Sequence, residues 1–322
     1  MLKRIFGPLP PGLQPQHPVL RYALQPYASD VSRWGRFLRI ATTVVVLSAL
    51  VILGYTVANH VMNNPPAGLH LAEVAFRIVY LPLVSLQAIS WILALSMSVS
   101  LLDDQRRRRT WDSLRATSDG AGLAVQAGWL SVLYRLRGLL VVITAARLIL
   151  LLGVFYRLAS HRGQYLDYLM ATVQPDVPLI IALLLLVLLL TAIFMLPFVL
   201  VGLAAALGLW LSAIFKQRAV TGIFQFLLIA AYVALALGLF LIVQGQTAAD
   251  WLPLQRFGLQ IGFSLVSDWG ISWFDLGRGG DFWAQVPYSV LIGPVVLLIM
   301  LAIAGLIDRL LKAAIHHAEI TD

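Results

Sequence analysis

The chain has 322 residues, 60% of them hydrophobic and 12% charged, with a mean hydropathy of +0.86. A charged share about half of the ~25% usual in soluble domains excludes an ordinary soluble fold, and several apolar runs pass the ~18 residues that mark a membrane-spanning helix. The fold class that follows is all-α, a polytopic membrane protein. The formal charge is +8, so the side of the bilayer that holds the excess becomes the next question, and the absence of cysteine excludes disulfides, thiolate metal sites, iron–sulfur clusters and thiol catalysis.

Residues 1–38 form an N-terminal cytoplasmic or interfacial segment. They lack an early apolar core and carry Pro8, Pro10, Pro11, Pro15, Pro18 and Pro26, so no cleavable leader is expected. Apolar stretches then follow at roughly 40–58 and 78–101. Backbone groups in lipid must bond within their own segment, so each stretch reads as a helix. At the outer end of the second stretch Arg77 follows Glu73 by one turn, a spacing for a structural pair.

A polar segment at 103–137 separates spans two and three. It opens Asp103-Asp104-Gln105-Arg106-Arg107-Arg108-Arg109-Thr110-Trp111-Asp112-Ser113-Leu114, and its charges forbid immersion in lipid. Trp111 and Leu114 share a helix face while the arginines can reach lipid phosphates or an acidic partner, so an amphipathic helix lying along the membrane is expected. The plainer reading of the basic run is an orientation signal for the neighbouring spans. Asp119-Gly120 breaks the segment, and a second amphipathic stretch places Leu123, Ala127, Leu130, Leu133 and Tyr134 on one side.

The third span, 138–156, carries Arg147 near its middle. An arginine at that depth costs at least ~2.5 kcal/mol on insertion scales, which points to a pathway, a lipid contact or a buried structural pairing. The fourth stretch, 179–214, is long enough for two spans. Its centre reads Phe194-Met195-Leu196-Pro197-Phe198 without polar turn residues, so one long proline-kinked helix is expected. Gly202 with Ala206, Ala204 with Gly208, and on the fifth span (219–243) Ala230, Ala234 and Gly238 recur every four residues. That spacing lets backbones approach, either within the chain or at a seam with another copy.

The segment 245–286 is too polar to span and too aromatic for a free linker. Trp251, Trp269, Trp273 and Trp283 stand among Asp250, Asp268, Asp275 and Asp281, the composition of interfacial or re-entrant helices at headgroup level, or of a plain aromatic belt. A sixth span at 287–307 and a tail at 309–322 complete the chain, so the membrane domain covers 39–308.

Six spans place both termini on one side. With them fall 17 Lys and Arg, against 4 on the other side, so the termini and residues 103–137 are expected in the cytoplasm of a multi-pass plasma-membrane protein. No Gly-x-x-x-x-Gly-Lys-Ser/Thr occurs, so ATP is not bound here through a P-loop. The six histidines, at 17, 60, 70, 161, 316 and 317, fall outside the expected spans, and no His-Glu-x-x-His, intramembrane acid cluster or nucleophile–base pair is present.

The order of two acids, a basic run and Thr110-Trp111-x-x-Leu114-x-x-Thr117 resembles the cytoplasmic signature of permeases of the ABC type 2 exporter family. His17-Pro18-Val19-Leu20-x-x-Ala23-Leu24 is similar to the Asn-Pro-Val-Leu-x-x-Glu-Leu opening of some of them, with His17 and Ala23 as departures. The resemblance implies that Asp103, Asp104, Arg106 to Arg109, Thr110, Trp111 and Leu114 form a coupling helix that docks into a separate cytoplasmic ATPase. It further implies that ATP, the one cofactor involved, sits on that partner, and that the permease pairs with a second copy or homologue among membrane lipids, with no nucleic acid. The four external tryptophans would shape the outer exit. Arg109 stands where the family has Gly, Ser118 where Pro is frequent, and Trp129 near a position often held by Lys. The first departure keeps open a non-transporting structural subunit of a larger membrane complex, respiratory or photosynthetic.

Overall fold

The computed structural model describes residues 33–56, 71–107, 120–160, 179–215, 217–244 and 287–320, with the single positions 258 and 262. Among these residues the chain is wholly helical, without strands. The helices are α1 (Arg33–Thr56), α2 (Leu71–Arg107), α3 (Gly120–Ser160), α4 (Leu179–Ile214), α5 (Arg218–Gln244) and α6 (Pro287–Ile320). Four are long and apolar enough to cross a membrane, over Pro82–Leu101, Phe194–Ile214, Ala219–Gly238 and Gly293–Ala318. The chain therefore has the make-up of an all-α, multi-pass membrane protein. In α1 the apolar run is the shorter Val44–Leu53, and α3 carries Arg135, Arg137 and Arg147.

Several boundaries differ from the sequence reading. The stretch 179–214 is one continuous helix with Pro197 inside it, as expected. In the loop 103–137, however, the described residues are helix. α2 runs on through Asp103, Asp104, Arg106 and Arg107, and residues 120–137 are the first half of the 41-residue α3 rather than a separate amphipathic piece. The buried positions of that half are Ala124, Val125, Ala127, Ser131, Val132 and Leu136, while Tyr134 is 48% exposed. The expected side through Leu123, Ala127, Leu130, Leu133 and Tyr134 is thus only partly the buried one: Ala127 is buried, the three leucines are half-buried and Tyr134 faces out. Likewise α6 continues to Ile320, and its apolar stretch Gly293–Ala318 takes in His316 and His317, which the sequence reading put outside the sixth span.

Three apolar clusters stack along the molecule. The first joins Leu83 and Leu86 of α2, Ile143 of α3, Ala192 and Leu196 of α4, and Val296 and Met300 of α6. The second joins Trp91, Ala94 and Leu95 to Val132, Leu136 and Leu140 and to Val201, Ala204 and Ala205. The third joins Ala124 and Val125 to Leu209 and Ala213 and to Ala314 and Ala318. Residue numbers rise through the clusters on α2, α4 and α6 and fall on α3, so α3 runs antiparallel to the other three. α5 is antiparallel to α2 as well, because Gln225 meets Ser96 and Tyr232 meets Trp91. The C-terminal ends of α2, α4 and α6 and the N-terminal ends of α3 and α5 therefore lie at one end of the molecule.

Small residues bring α4 close to its neighbours. A Cβ built on Gly208 would stand 2.8 Å from the Leu95 carbonyl oxygen, and one on Gly202 would stand 3.3 Å from the Trp129 ring. Ala204, Ala205 and Ala206 are fully buried. The repeat of small residues on α4 is consumed within the chain. On α5 the equivalent repeat is not, since Ala230 and Ala234 are exposed.

Candidate functional site

The residues that carry the permease resemblance straddle the end where α2 stops and α3 starts. Asp103, Asp104, Arg106 and Arg107 form the last turns of α2, while Arg108, Arg109, Thr110, Trp111 and Leu114 lie outside the described residues. Trp251, Trp269, Trp273 and Trp283 also lie outside them, as does the N-terminal His17–Leu24 segment. The backbone places the two acids and two arginines where α2 leaves its apolar run at Leu101.

α6 marks the same end with exposed charge. Asp308 and Lys312 pair at 2.6 Å across one helical turn, with both side chains more than half exposed. Such an exposed pair contributes only ~0.3–0.5 kcal/mol. On the opposite side of the same helix Ala314 and Ala318 are buried against α3 and α4, so α6 is apolar toward the chain and charged outward.

Arg147 is the largest fully buried side chain, 1% exposed, one turn beyond Ile143 of the first cluster. It points into the helix assembly rather than outward. Other buried polar side chains at α2, α3, α4 and α5 are Gln87, Ser90, Ser98, Ser131, Ser212 and Thr221. Three of the serines spend their hydrogen locally: Ser90 donates to the Gln87 carbonyl, Ser98 to Leu95 and Ser131 to Gly128, at 2.7–2.8 Å. This back-bonding satisfies a buried hydroxyl without a partner helix. It leaves Arg147 as the one fully buried formal charge among the described residues.

Three interhelical polar or aromatic contacts were not legible in the sequence. The Trp129 indole N–H donates to the Gly202 carbonyl at 2.9 Å, tying α3 to α4 where an indole can approach a glycine backbone. Gln225 donates from its side-chain amide to the Ser96 hydroxyl at 2.8 Å, and two turns further along α5 the Tyr232 ring stacks on Trp91 at 4.5 Å and 9°. Their signal in the sequence is weak: Trp129 sits in the segment read as polar and Gln225 inside an apolar run, each needing a polar neighbour once desolvated.

An open groove of about 920 Å³ runs between α3, α4 and α6. Trp129 lies at one end, Leu148 at the other, and Arg137 between them. His316 and His317 have ring centroids 6.1 Å apart, and among the described residues no three His, Cys, Asp or Glu side chains converge as a metal site would require. No protein-family profile matches the chain, and neither a curated protein nor a solved structure does.

Proposed function

We propose that this chain is the membrane subunit of an ATP-driven exporter, with hydrolysis on a separate cytoplasmic ATPase. The observation that carries this reading is the ordered signature Asp104, the arginine run, Thr110, Trp111, Leu114 and Thr117, which begins in the last turn of α2 and ends before α3 starts. Alternation of the helices supports the accompanying topology of six spans. α2, α4 and α6 end where α3 and α5 begin, and that end carries Arg106, Arg107, Arg218, Arg309 and Lys312, as a cytoplasmic face does.

In this mechanism closure of the ATPases pushes on the segment 104–117, and the load passes straight into α2 and α3. Those two helices share the second apolar cluster with α4, so a rigid displacement at one end reaches the bilayer interior. α5 is tied to α2 by the Gln225–Ser96 bond and the Tyr232–Trp91 stack, few enough contacts to let it tilt. The chain works with a second copy or a homologue. Its substrate passes between helices of the pair, and Arg147 stands as an intramembrane cation on one of them.

The test is co-purification. The tagged full chain, extracted in mild detergent, is expected to bring down an ATPase encoded beside it and to stimulate ATP hydrolysis. Trp111→Ala is expected to cut that association by an order of magnitude, because a buried aromatic anchor contributes ~2 kcal/mol or more. Recovery without an ATPase would remove the exporter reading.

A second reading is a structural subunit of a larger membrane complex. Arg109 in place of the signature glycine favours it, as does an interior filled by aliphatic and small side chains with few polar groups. Co-purification with complex subunits and no ATPase separates the two.

A further inference from the structure

The groove between α3, α4 and α6 is almost wholly apolar, with one cation at its rim. Its walls include Leu133, Leu140, Val141, Phe198, Val199 and Ile307. Arg137 lines the same groove and is exposed, its guanidinium carbon 4.1 Å from the centre of the Tyr134 ring. Tyr134 lies one turn earlier on α3, so the cation is drawn back toward the end of the molecule that carries Asp308, Arg309 and Lys312. A long stem laid on an aromatic face, with its charge turned toward the headgroups, is how arginine sits at a membrane boundary.

Beyond the cation the groove is apolar except at Thr144. From Arg137 to Leu148 α3 rises ~16 Å at ~1.5 Å per residue, which is the depth of one leaflet of a ~30 Å hydrocarbon core. The cavity volume of about 920 Å³ falls in the ~300–1,000 Å³ range of small-molecule sites. Trp129 closes the polar end, its ring held by the Gly202 carbonyl. One cation, a one-leaflet apolar trough and an aromatic stop at the headgroup end are together complementary to a single ligand chemistry.

We infer that this groove binds an anionic glycerophospholipid of the leaflet on the basic side, an acyl chain lying along Leu140 to Leu148 and the phosphate paired with Arg137. The inference rests on the chain crossing a bilayer but not on coupling to an ATPase, so either can fail alone. A lipid held there occupies the open side of α3, α4 and α6 and meets the second buried cluster only at Leu140.

The test uses the full chain in nanodiscs of equimolar phosphatidylglycerol and phosphatidylcholine, with retained lipid counted by native mass spectrometry after release. The wild-type chain is expected to retain phosphatidylglycerol about tenfold over phosphatidylcholine, because both phosphates can meet Arg137 but the choline ammonium brings a second cation beside it. Arg137→Gln is expected to abolish that preference. Arg309→Gln, the same charge change on an exposed face of α6, is expected to keep it. Ala145→Phe, which fills the groove without touching charge, is expected to lower retention of both lipids. Equal retention of the two lipids by the wild-type chain overturns the inference regardless of how any variant folds. Equal losses in Arg137→Gln and Arg309→Gln overturn it too, by reducing the preference to net charge. So does an intermolecular disulfide formed in native membranes by Ala145→Cys, in a chain with no other cysteine, because the groove would then face a second copy.

Discussion

α4 and α5 are consecutive, of similar hydropathy, and joined by residues 215–217, yet they occupy opposite environments. Of the membrane-crossing stretch of α4, 56% is buried inside the chain; of α5, 6%. α4 touches α2, α3 and α6 through Gly202, Ala204, Ala205, Gly208 and Leu209. α5 shows Ile223, Phe226, Leu227, Leu235 and Leu237 outward, each more than half exposed. Lipid tails are as apolar as leucine, so hydrophobicity cannot choose between these fates; close packing of small residues and a few hydrogen bonds do.

The same kind of substitution should therefore act differently on the two helices. The largest effect is expected from Leu209→Ala in the third cluster, a loss of ~2–5 kcal/mol from a buried site, against ~0.5 kcal/mol or less for the exposed Leu235→Ala. Chemical unfolding in detergent with far-UV circular dichroism measures both, and equal losses would erase the distinction between core and lipid-facing helix. Next comes Gly208→Ala, whose new methyl would press on the Leu95 carbonyl and Ser98; overpacking of this kind costs ~1–3 kcal/mol, read as a lower unfolding midpoint.

Smaller still is the hold of α5 on α2. Tyr232→Ala removes the stack on Trp91 and is expected to cost ~0.5–1.5 kcal/mol beyond lost area, while Gln225→Leu removes an interhelical hydrogen bond of ~0.6 kcal/mol. Protease accessibility or cross-linking between α2 and α5 follows the loosening. A change of similar size has the opposite sign. Nothing lies within 4 Å of a Cβ on Gly222, so Gly222→Ala is expected to stabilise α5 by up to ~1 kcal/mol through helix propensity. A loss there would mean that α5 is covered at that point by something outside the chain.

Helix existence was legible because apolar runs of this length have no other way to satisfy their backbone in lipid. The unbroken course of 179–214 through Pro197 followed from the lack of polar turn residues around it. Rotation of the helices about their own axes was not legible. On α3 periodicity put Leu123, Ala127, Leu130, Leu133 and Tyr134 on one side, while of these only Ala127 is buried, beside Val125, Ser131, Val132 and Ile143. In a soluble helix a polar face would have settled the matter; here both faces are apolar, and the 3.6-residue signal fades. The continuity of α2 through Asp103 to Arg107 and of α3 from Gly120 was masked in the same way, by charges that end an apolar run without ending a helix.

Of the candidate site, its residue types were readable and its surroundings were not. Arg147 was conspicuous as a cation deep in an apolar run; that it is 1% exposed is a property of the neighbours, which composition does not name. The groove beside Arg137 needs Phe198 and Ile307, brought to α3 from two other helices. Local hydrophobicity and backbone self-satisfaction are encoded residue by residue along the chain, and with them the helices and the basic end. Which side of each helix meets protein and which meets lipid depends on small residues such as Gly202 and Gly208 finding a partner more than a hundred positions away, as with Leu95. That choice arises only when the helices pack.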